Sequence, residues 1–324
     1  MKKLLLDNTY DLYLSMTWTQ DTNQGHGISG HVYEIIEYYL LLRKKIKVGV
    51  LICEDLTWEI LKKAISTKYS INNKILNELK NNIIFEYQPK MVKGKNILFV
   101  DGSFTRTMLP HGIVLIFKNI FSFRCSNKDF HHNLPYKNIT LLQDQRVYND
   151  KDSEIAINYK KKIKFNDYKK IVNKKTDTAM VYLTSNCRKI CSDQLLDIVM
   201  EYKFKNYIVL TNKKDEYIKK FKNIKNVLFP EMPVKNIFEK FDTFIYTPTY
   251  SVTSPIHGCF DCSPRFIAEC KFYNKNVIYH NIDEKYLKID TGLKYRKLDI
   301  ENNFESIKLK DNDEIIQIIN ERIY

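Results

Sequence analysis

Arg265 and Glu269 stand four residues apart in the stretch Asp261 to His280, which reads D-C-S-P-R-F-I-A-E-C-K-F-Y-N-K-N-V-I-Y-H. Their types and spacing suit a ligand that carries both an anionic group and hydroxyls. Pro264 fits the first position of a helix, because its fixed φ is helical and its missing N–H is not needed there. A helix starting near Ser263 brings free backbone N–H groups, the positive end of the helix dipole and the Arg265 guanidinium to one point. That combination holds a phosphate. Glu269, one turn further on, is placed to accept hydrogen bonds from the hydroxyls of a sugar or ribose.

Other residues with chemical potential stand at the ends of apolar runs. In H-G-I-S-G-H-V-Y-E (His26 to Glu34), Gly27 and Gly30 let the backbone approach a ligand closely, and His31 adds a ring that hydrogen-bonds. Asp101 ends the run N-I-L-F-V-D and can orient a hydroxyl. Lys118 follows the run G-I-V-L-I-F, and Arg188 and Lys189 follow the run that starts at Ala179. The seven cysteines are scattered. Cys259-x-x-Cys262 lacks a second tight pair, so free thiols are expected and no metal. Asp150-x-Asp152 and Asp311-x-Asp313 lie in charged segments rather than after apolar strands, which argues against a diphosphate held through a cation. No cofactor is expected.

These positions need a scaffold, and the hydropathy pattern supplies one. Leu4 to Ser15 reads as a first strand, with Asp7 to Thr9 as an interruption, and Gly30 to Arg43 as a helix with Val32, Ile35, Ile36, Tyr39 and Leu40 on one face. Lys47 to Cys53 reads as a buried parallel strand. Strand, glycine loop, helix and strand open a doubly wound sheet. Further strands are expected at 83–87, 96–101, 112–117 and 139–142, and a helix at 55–66. A lysine-rich stretch follows from Asn149 to Thr178. A second α/β series then runs through strands at 179–184, 207–211, 226–229 and 243–247 and helices at 192–202, 215–221 and 234–241. A final amphipathic helix covers 313–323. The expected division is 1–160, a linker at 161–178, and 179–324, with the last helix able to return to the first domain.

At 324 residues, with 44% hydrophobic residues, two cored domains are within reach. No run approaches the roughly 18 apolar residues of a membrane helix, and the apolar run near the N-terminus is too short for a secretory signal. A soluble cytoplasmic protein is expected. The net charge of +14 invites a nucleic-acid or anionic-surface partner. Against that, the abundance of Lys, Asn, Ile and Tyr together points to a coding bias that raises lysine everywhere.

Two segments resemble the sugar-nucleotide-dependent glycosyltransferases of the GT-B fold, in particular their large retaining family. That family carries an acidic residue, seven others and a glutamate, then a small-residue turn and a buried strand. Asp261, Pro264, Glu269 and N-K-N-V-I (Asn274 to Ile278) fall in that register, and F-E-K-F-D-T-F-I-Y-T-P-T (Phe238 to Thr249) is similar to the helix and strand before it. His26 to Glu34 is similar to the glycine loop of the family's first domain. The chain departs from the pattern at Asp261, Cys262 and Asn274, and Lys118 stands where a histidine is common. Asn at 274 keeps the turn, since it tolerates left-handed backbone angles.

The resemblance implies two Rossmann-like α/β domains facing each other and a nucleoside-diphosphate sugar, UDP-linked in the first instance, as donor. It implies transfer with retention and without a metal. Donor-binding residues would be Gly27, Gly30, Arg188, Lys189, Asp261, Ser263, Pro264, Arg265 and Glu269, with the cations and helix start stabilising the departing diphosphate. Glu269 would hold the ribose and Asp261 the sugar. Asp101, His31 and Lys118 are the catalytic candidates. The acceptor is a glycan or a modified DNA base. A non-catalytic nucleic-acid-binding protein and a sugar-nucleotide epimerase are the rival readings, and the oligomeric state is not legible.

Overall fold

The run Val48 to Ile52 (V-G-V-L-I) is a strand buried at every position, the mark of a strand covered on both faces. The same holds for Leu12 to Ser15, Asn96 to Phe99 and Thr243 to Tyr246. In a computed structural model, residues 3–5, 9–15, 30–52, 56–85, 91–100, 114–123, 139–143, 156–158, 167–183, 192–211, 214–231, 234–246, 265–280 and 314–324 are described.

The elements in chain order are β1 (Lys3–Leu5), β2 (Leu12–Ser15), α1 (Gly30–Leu42), β3 (Val48–Ile52), α2 (Trp58–Lys68), α3 (Asn73–Asn81), β4 (Ile83–Phe85), β5 (Met91–Lys93) and β6 (Asn96–Phe99). There follow β7 (Val114–Ile116), β8 (Asn119–Phe123), β9 (Ile139–Gln143), β10 (Ala156–Asn158), β11 (Thr178–Leu183), α4 (Ser192–Tyr202), β12 (Asn206–Thr211), α5 (Lys214–Phe221) and β13 (Val227–Leu228). The last are β14 (Thr243–Tyr246), α6 (Arg265–Phe272), β15 (Asn276–Tyr279) and α7 (Glu314–Ile323). The chain is an α/β protein, and every pairing between these strands is parallel.

Two compact units hold these elements. One gathers those up to Lys169 together with α7, and the other those from Lys170 to β15. The first unit contains a seven-stranded sheet, β10-β9-β8-β6-β2-β3-β4, and a small sheet, β1-β5-β7. The second contains β13-β12-β11-β14-β15. Numbered within each sheet, both larger sheets run 3-2-1-4-5 from one side, the order of doubly wound dinucleotide-binding folds.

Two expectations need correction, at Leu4 to Ser15 and at 234–241, one is extended, and one helix is unexpected. Leu4 to Ser15 is two strands in two different sheets, because the turn at Thr9 to Asp11 redirects the chain. Helix α1 is buried almost all round: Glu34, Glu37 and Tyr38 are covered as well as the predicted face. Residues 234–241 hold only a single 3-10 turn, Ile237–Glu239, since Asn236 before it takes the left-handed conformation at φ 52°. Helix α3 has no counterpart among the expected elements, yet Asn72 caps it by accepting from Ile75 N at 2.9 Å, and Leu76 and Leu79 are its buried face.

Side chains lock the amino-terminal edges of both sheets. In the first unit, Asp11 accepts from Lys95 Nζ at 3.0 Å and Lys47 N at 3.1 Å, and Asn96 Nδ2 donates to Asp11 O at 2.7 Å. Asn119 Nδ2 donates to Asn96 Oδ1 at 2.8 Å and to Arg322 O of α7 at 3.0 Å. In the second unit, Asp242 accepts from Thr176 N (2.7 Å), Thr176 Oγ1 (3.0 Å) and Thr178 N (3.4 Å). Burial pushes the Asp242 carboxyl up, but these hydrogen bonds outweigh it and leave the group below its ordinary 3.8.

Candidate functional site

In the second unit, the chain leaves β11 through α4 for β12 on one side, and leaves β14 through α6 for β15 on the other. The neighbours β11 and β14 therefore border the point where the strand order reverses, and ligands of such sheets bind outside their carboxyl ends. The segments that emerge there are 184–191, which carries Arg188 and Lys189, and 247–264, which carries Asp261, Ser263 and Pro264. All five residues lie outside the described residues.

Helix α6 follows the second of these segments. Because β15 runs parallel to β14, α6 must run back from the carboxyl edge to the amino edge, so its N-terminus at Arg265 lies on the carboxyl edge. The Arg265 side chain is outside the description. Its neighbour Phe266 is anchored among aromatic rings: Phe238 at 4.9 Å, Phe244 of β14 at 4.9 Å and Tyr182 of β11 at 6.1 Å between centroids. Ring contacts to both switch-point strands fix the first turn of the helix. The sequence carries a signal for this, an aromatic directly after Arg265, but its partners are distant in the chain.

Glu269 is 2% exposed, one turn inside α6, beside the fully buried Ile267 and Cys270. Burial, then the Glu269 charge, hold the Cys270 thiol well above its ordinary value, with Lys275 opposing. Burial and Glu269 push the Tyr273 hydroxyl up in the same way. The far end of α6 closes as predicted: Asn274 takes φ 54°, Asn274 N donates to Lys271 O at 3.1 Å and Lys275 N to Cys270 O at 2.8 Å. That pair of bonds is a Schellman cap, which turns the chain directly into β15.

The first unit has its own reversal point, between β2 and β6. Val100 N donates to Ser15 O at 3.0 Å, joining the carboxyl ends of these strands. The loop after β2 contains Gly27, outside the described residues, and ends where Gly30 opens α1; the His31 backbone lies in the first turn and its side chain outside the description. Asp101 directly follows Val100 and is also outside the described residues.

Lys118 is placed elsewhere. The run expected to end on the ligand rim, β7, belongs to the small sheet, and Lys118 directly precedes β8 with its N–H on Lys95 O at 2.8 Å. It stands exposed at the amino edge of the seven-stranded sheet, the opposite edge from the reversal point. It therefore has no part in a site at the carboxyl ends.

One buried polar cluster has no forewarning in the sequence pattern. Glu37 of α1 is fully buried, and its Oε1 accepts from Tyr69 Oη at 2.6 Å and Tyr168 Oη at 3.0 Å. It pins residues 167–169, where the chain leaves the first unit for the second, to the end of α2. No group of three or more metal-ligating side chains occurs among the described residues, and no helix among them is long and apolar enough to cross a membrane.

No protein-family model matches this chain, and no curated protein matches it significantly. Among solved structures, one similar chain is the apo form of the lipopolysaccharide outer core galactosyltransferase WaaB. It is 10% identical, with a TM-score of 0.34 over 97% of this chain and 95% of that one. A likeness that distant carries no argument about fold or activity.

Proposed function

We propose that this chain is a glycosyltransferase of GT-B architecture. It moves a sugar from a nucleoside diphosphate, UDP in the first instance, to an acceptor hydroxyl, with retention at the anomeric carbon and without a metal. One observation carries the reading. Both large sheets have the doubly wound order, and the segments leaving their reversal points are those that hold the chemically competent residues. Arg188, Lys189, Arg265 and the α6 N-terminus meet the diphosphate and stabilise it as it departs. Glu269 binds the ribose, Asp261 the sugar, and Ser263 and Pro264 shape the turn into α6. Gly27 and Gly30 give the backbone close approach, while Asp101 and His31 handle the acceptor hydroxyl. The acceptor is a glycan or a modified base in DNA.

The test is a thermal-shift panel of nucleoside diphosphates and their sugars. Binding to the native state raises apparent stability by about 2.7 kcal/mol at a hundredfold excess over Kd, so one diphosphate should raise the melting temperature by several degrees. Arg265→Ala and Glu269→Gln should abolish that shift while their own unfolding stays cooperative, and transfer should continue in EDTA. Absence of a shift with every nucleotide overturns the proposal.

A further inference from the structure

In the second unit, every turn that leads into a strand lies at the amino edge of the parallel sheet, opposite the carboxyl edge assigned to the donor. These turns are rich in lysine. Lys174 and Lys175 precede β11, Lys203 and Lys205 precede β12, Lys222 and Lys225 precede β13, and Lys240 precedes β14. All seven are exposed, and none takes part in an ion pair among the described residues. The acids of the same turns are Asp177, which is exposed, and Glu239 and Asp242, which are half-buried, the last with its carboxylate engaged by Thr176 and Thr178.

The row is rigid. Asn206 N donates to Asp177 O (3.3 Å), Tyr207 N to Asn226 O (2.8 Å), Asp242 N to Thr178 O (2.9 Å) and Asn276 N to Asp242 O (3.0 Å), so adjacent turns are bonded side by side. Asn226 Nδ2 donates to Phe204 O at 3.2 Å and Asn173 Nδ2 to Tyr273 O at 3.1 Å. The four lysine-bearing turns, those before β13, β12, β11 and β14, span about 14 Å at about 4.8 Å per strand. Helix-dipole compensation explains Lys203 and Lys222, which directly follow α4 and α5, but it fades beyond the last turn and does not reach Lys174, Lys175 or Lys240.

We propose that this amino-edge rim is a docking surface for the phosphodiester backbone of duplex nucleic acid. Duplex DNA carries one charge per roughly 1.7 Å of axis, so about 14 Å of it carries on the order of 8 phosphates on its two strands, and those on the facing side meet the lysine row. The amides of Asn206, Tyr207, Asp242 and Asn276 are spent on backbone bonds, and lysine ammonium groups on the exposed row meet phosphates, so the surface reads charge and not bases. A membrane surface fits less well. Interfacial binding adds exposed aromatic and apolar wedges, whereas the aromatic rings Tyr207, Phe221, Phe241 and Tyr273 are buried under the rim and the exposed apolar side chains beside it are two separate aliphatics, Val172 and Leu228. The surface is independent of the donor reading, being on the opposite sheet edge, and either can fail alone.

The test uses the full chain and a fluorescein-labelled DNA duplex of arbitrary sequence, with anisotropy followed from about 50 to 200 mM salt. The quadruple change Lys203→Ala, Lys205→Ala, Lys222→Ala, Lys225→Ala should raise Kd at least tenfold. It should also flatten the plot of log K against log salt by about 0.9 for each phosphate no longer neutralised. The matching Lys→Arg quadruple should keep wild-type affinity. Changing Lys62, Lys63, Lys74 and Lys80 on α2 and α3 to Ala should move Kd less than about twofold, which separates the rim from general lysine content. Equal losses from both alanine sets overturn the proposal. So does unaltered binding by the rim variant, or wild-type binding to phosphatidylglycerol vesicles with none to duplex.

Discussion

At the scale of single residues, both units turn on carboxylates whose surroundings differ. Glu269 is buried on a helix one turn from its start, and its position relative to Arg265 was legible because both lie within one helical turn of sequence. Glu37 was not legible. Its partners Tyr69 and Tyr168 stand 32 and 131 residues away, and no local pattern carries such contacts. Asp242 yields a prediction with a definite sign. Its folded pKa is depressed below 3.8, so its stabilising effect is fully present above the unfolded value and is lost as pH falls through the folded one. Asp242→Asn should cost about 1 to 2 kcal/mol at pH 7, as expected for a charge-assisted hydrogen-bond set. The gap between variant and wild type, read from urea midpoints, should close as pH falls below 3.8. A gap constant with pH would show that the carboxylate charge does not matter.

At the scale of elements, length and local chemistry decided what could be read. Runs such as V-G-V-L-I and the helix Ser192–Tyr202 declared themselves through apolar content and period. Helix α3 hid behind the asparagines in its neighbourhood, although Asn72 and the Leu76/Leu79 spacing were signals. The 3-10 turn at Ile237–Glu239 shows the reverse error: the apolar period is there, but Asn236 breaks the backbone and Phe238 and Phe241 turn into the aromatic cluster. The Schellman cap at Asn274 was legible from one residue type. It predicts that Asn274→Gly is neutral or slightly stabilising, whereas Asn274→Val costs about 1 to 2 kcal/mol because a branched residue is forced into left-handed backbone. Thermal unfolding of the two variants measures this. Equal effects would mean that the turn relaxes to another conformation.

At the scale of the whole molecule, the fold class was legible because strands and helices alternate twice over. Strand order within each sheet was not, since it depends on pairings across the chain. The small sheet β1-β5-β7 also escaped, its strands being three residues each. Helix α7 belongs to the first unit, with Ile319 and Ile323 buried and Asn119 bonded to Arg322 O. Removing residues 314–324 should destabilise that unit by on the order of 3 to 6 kcal/mol, the value of two fully buried large aliphatic side chains. Hydrogen exchange should show peptides of β6 and β8 losing protection while those of β11 to β15 keep theirs. Uniform loss across both units would refute that division of stability.

The return of α7 has a consequence for synthesis. The second unit runs from Lys170 to Leu309, so it has all of its residues before Glu314 is added, while the first unit still lacks its last element. Until then the sites for Ile319 and Ile323 on the nascent first unit stay uncovered. The order of birth along the polypeptide is thus the reverse of the order of completion, and the N-terminal half is the part that most needs protection during translation.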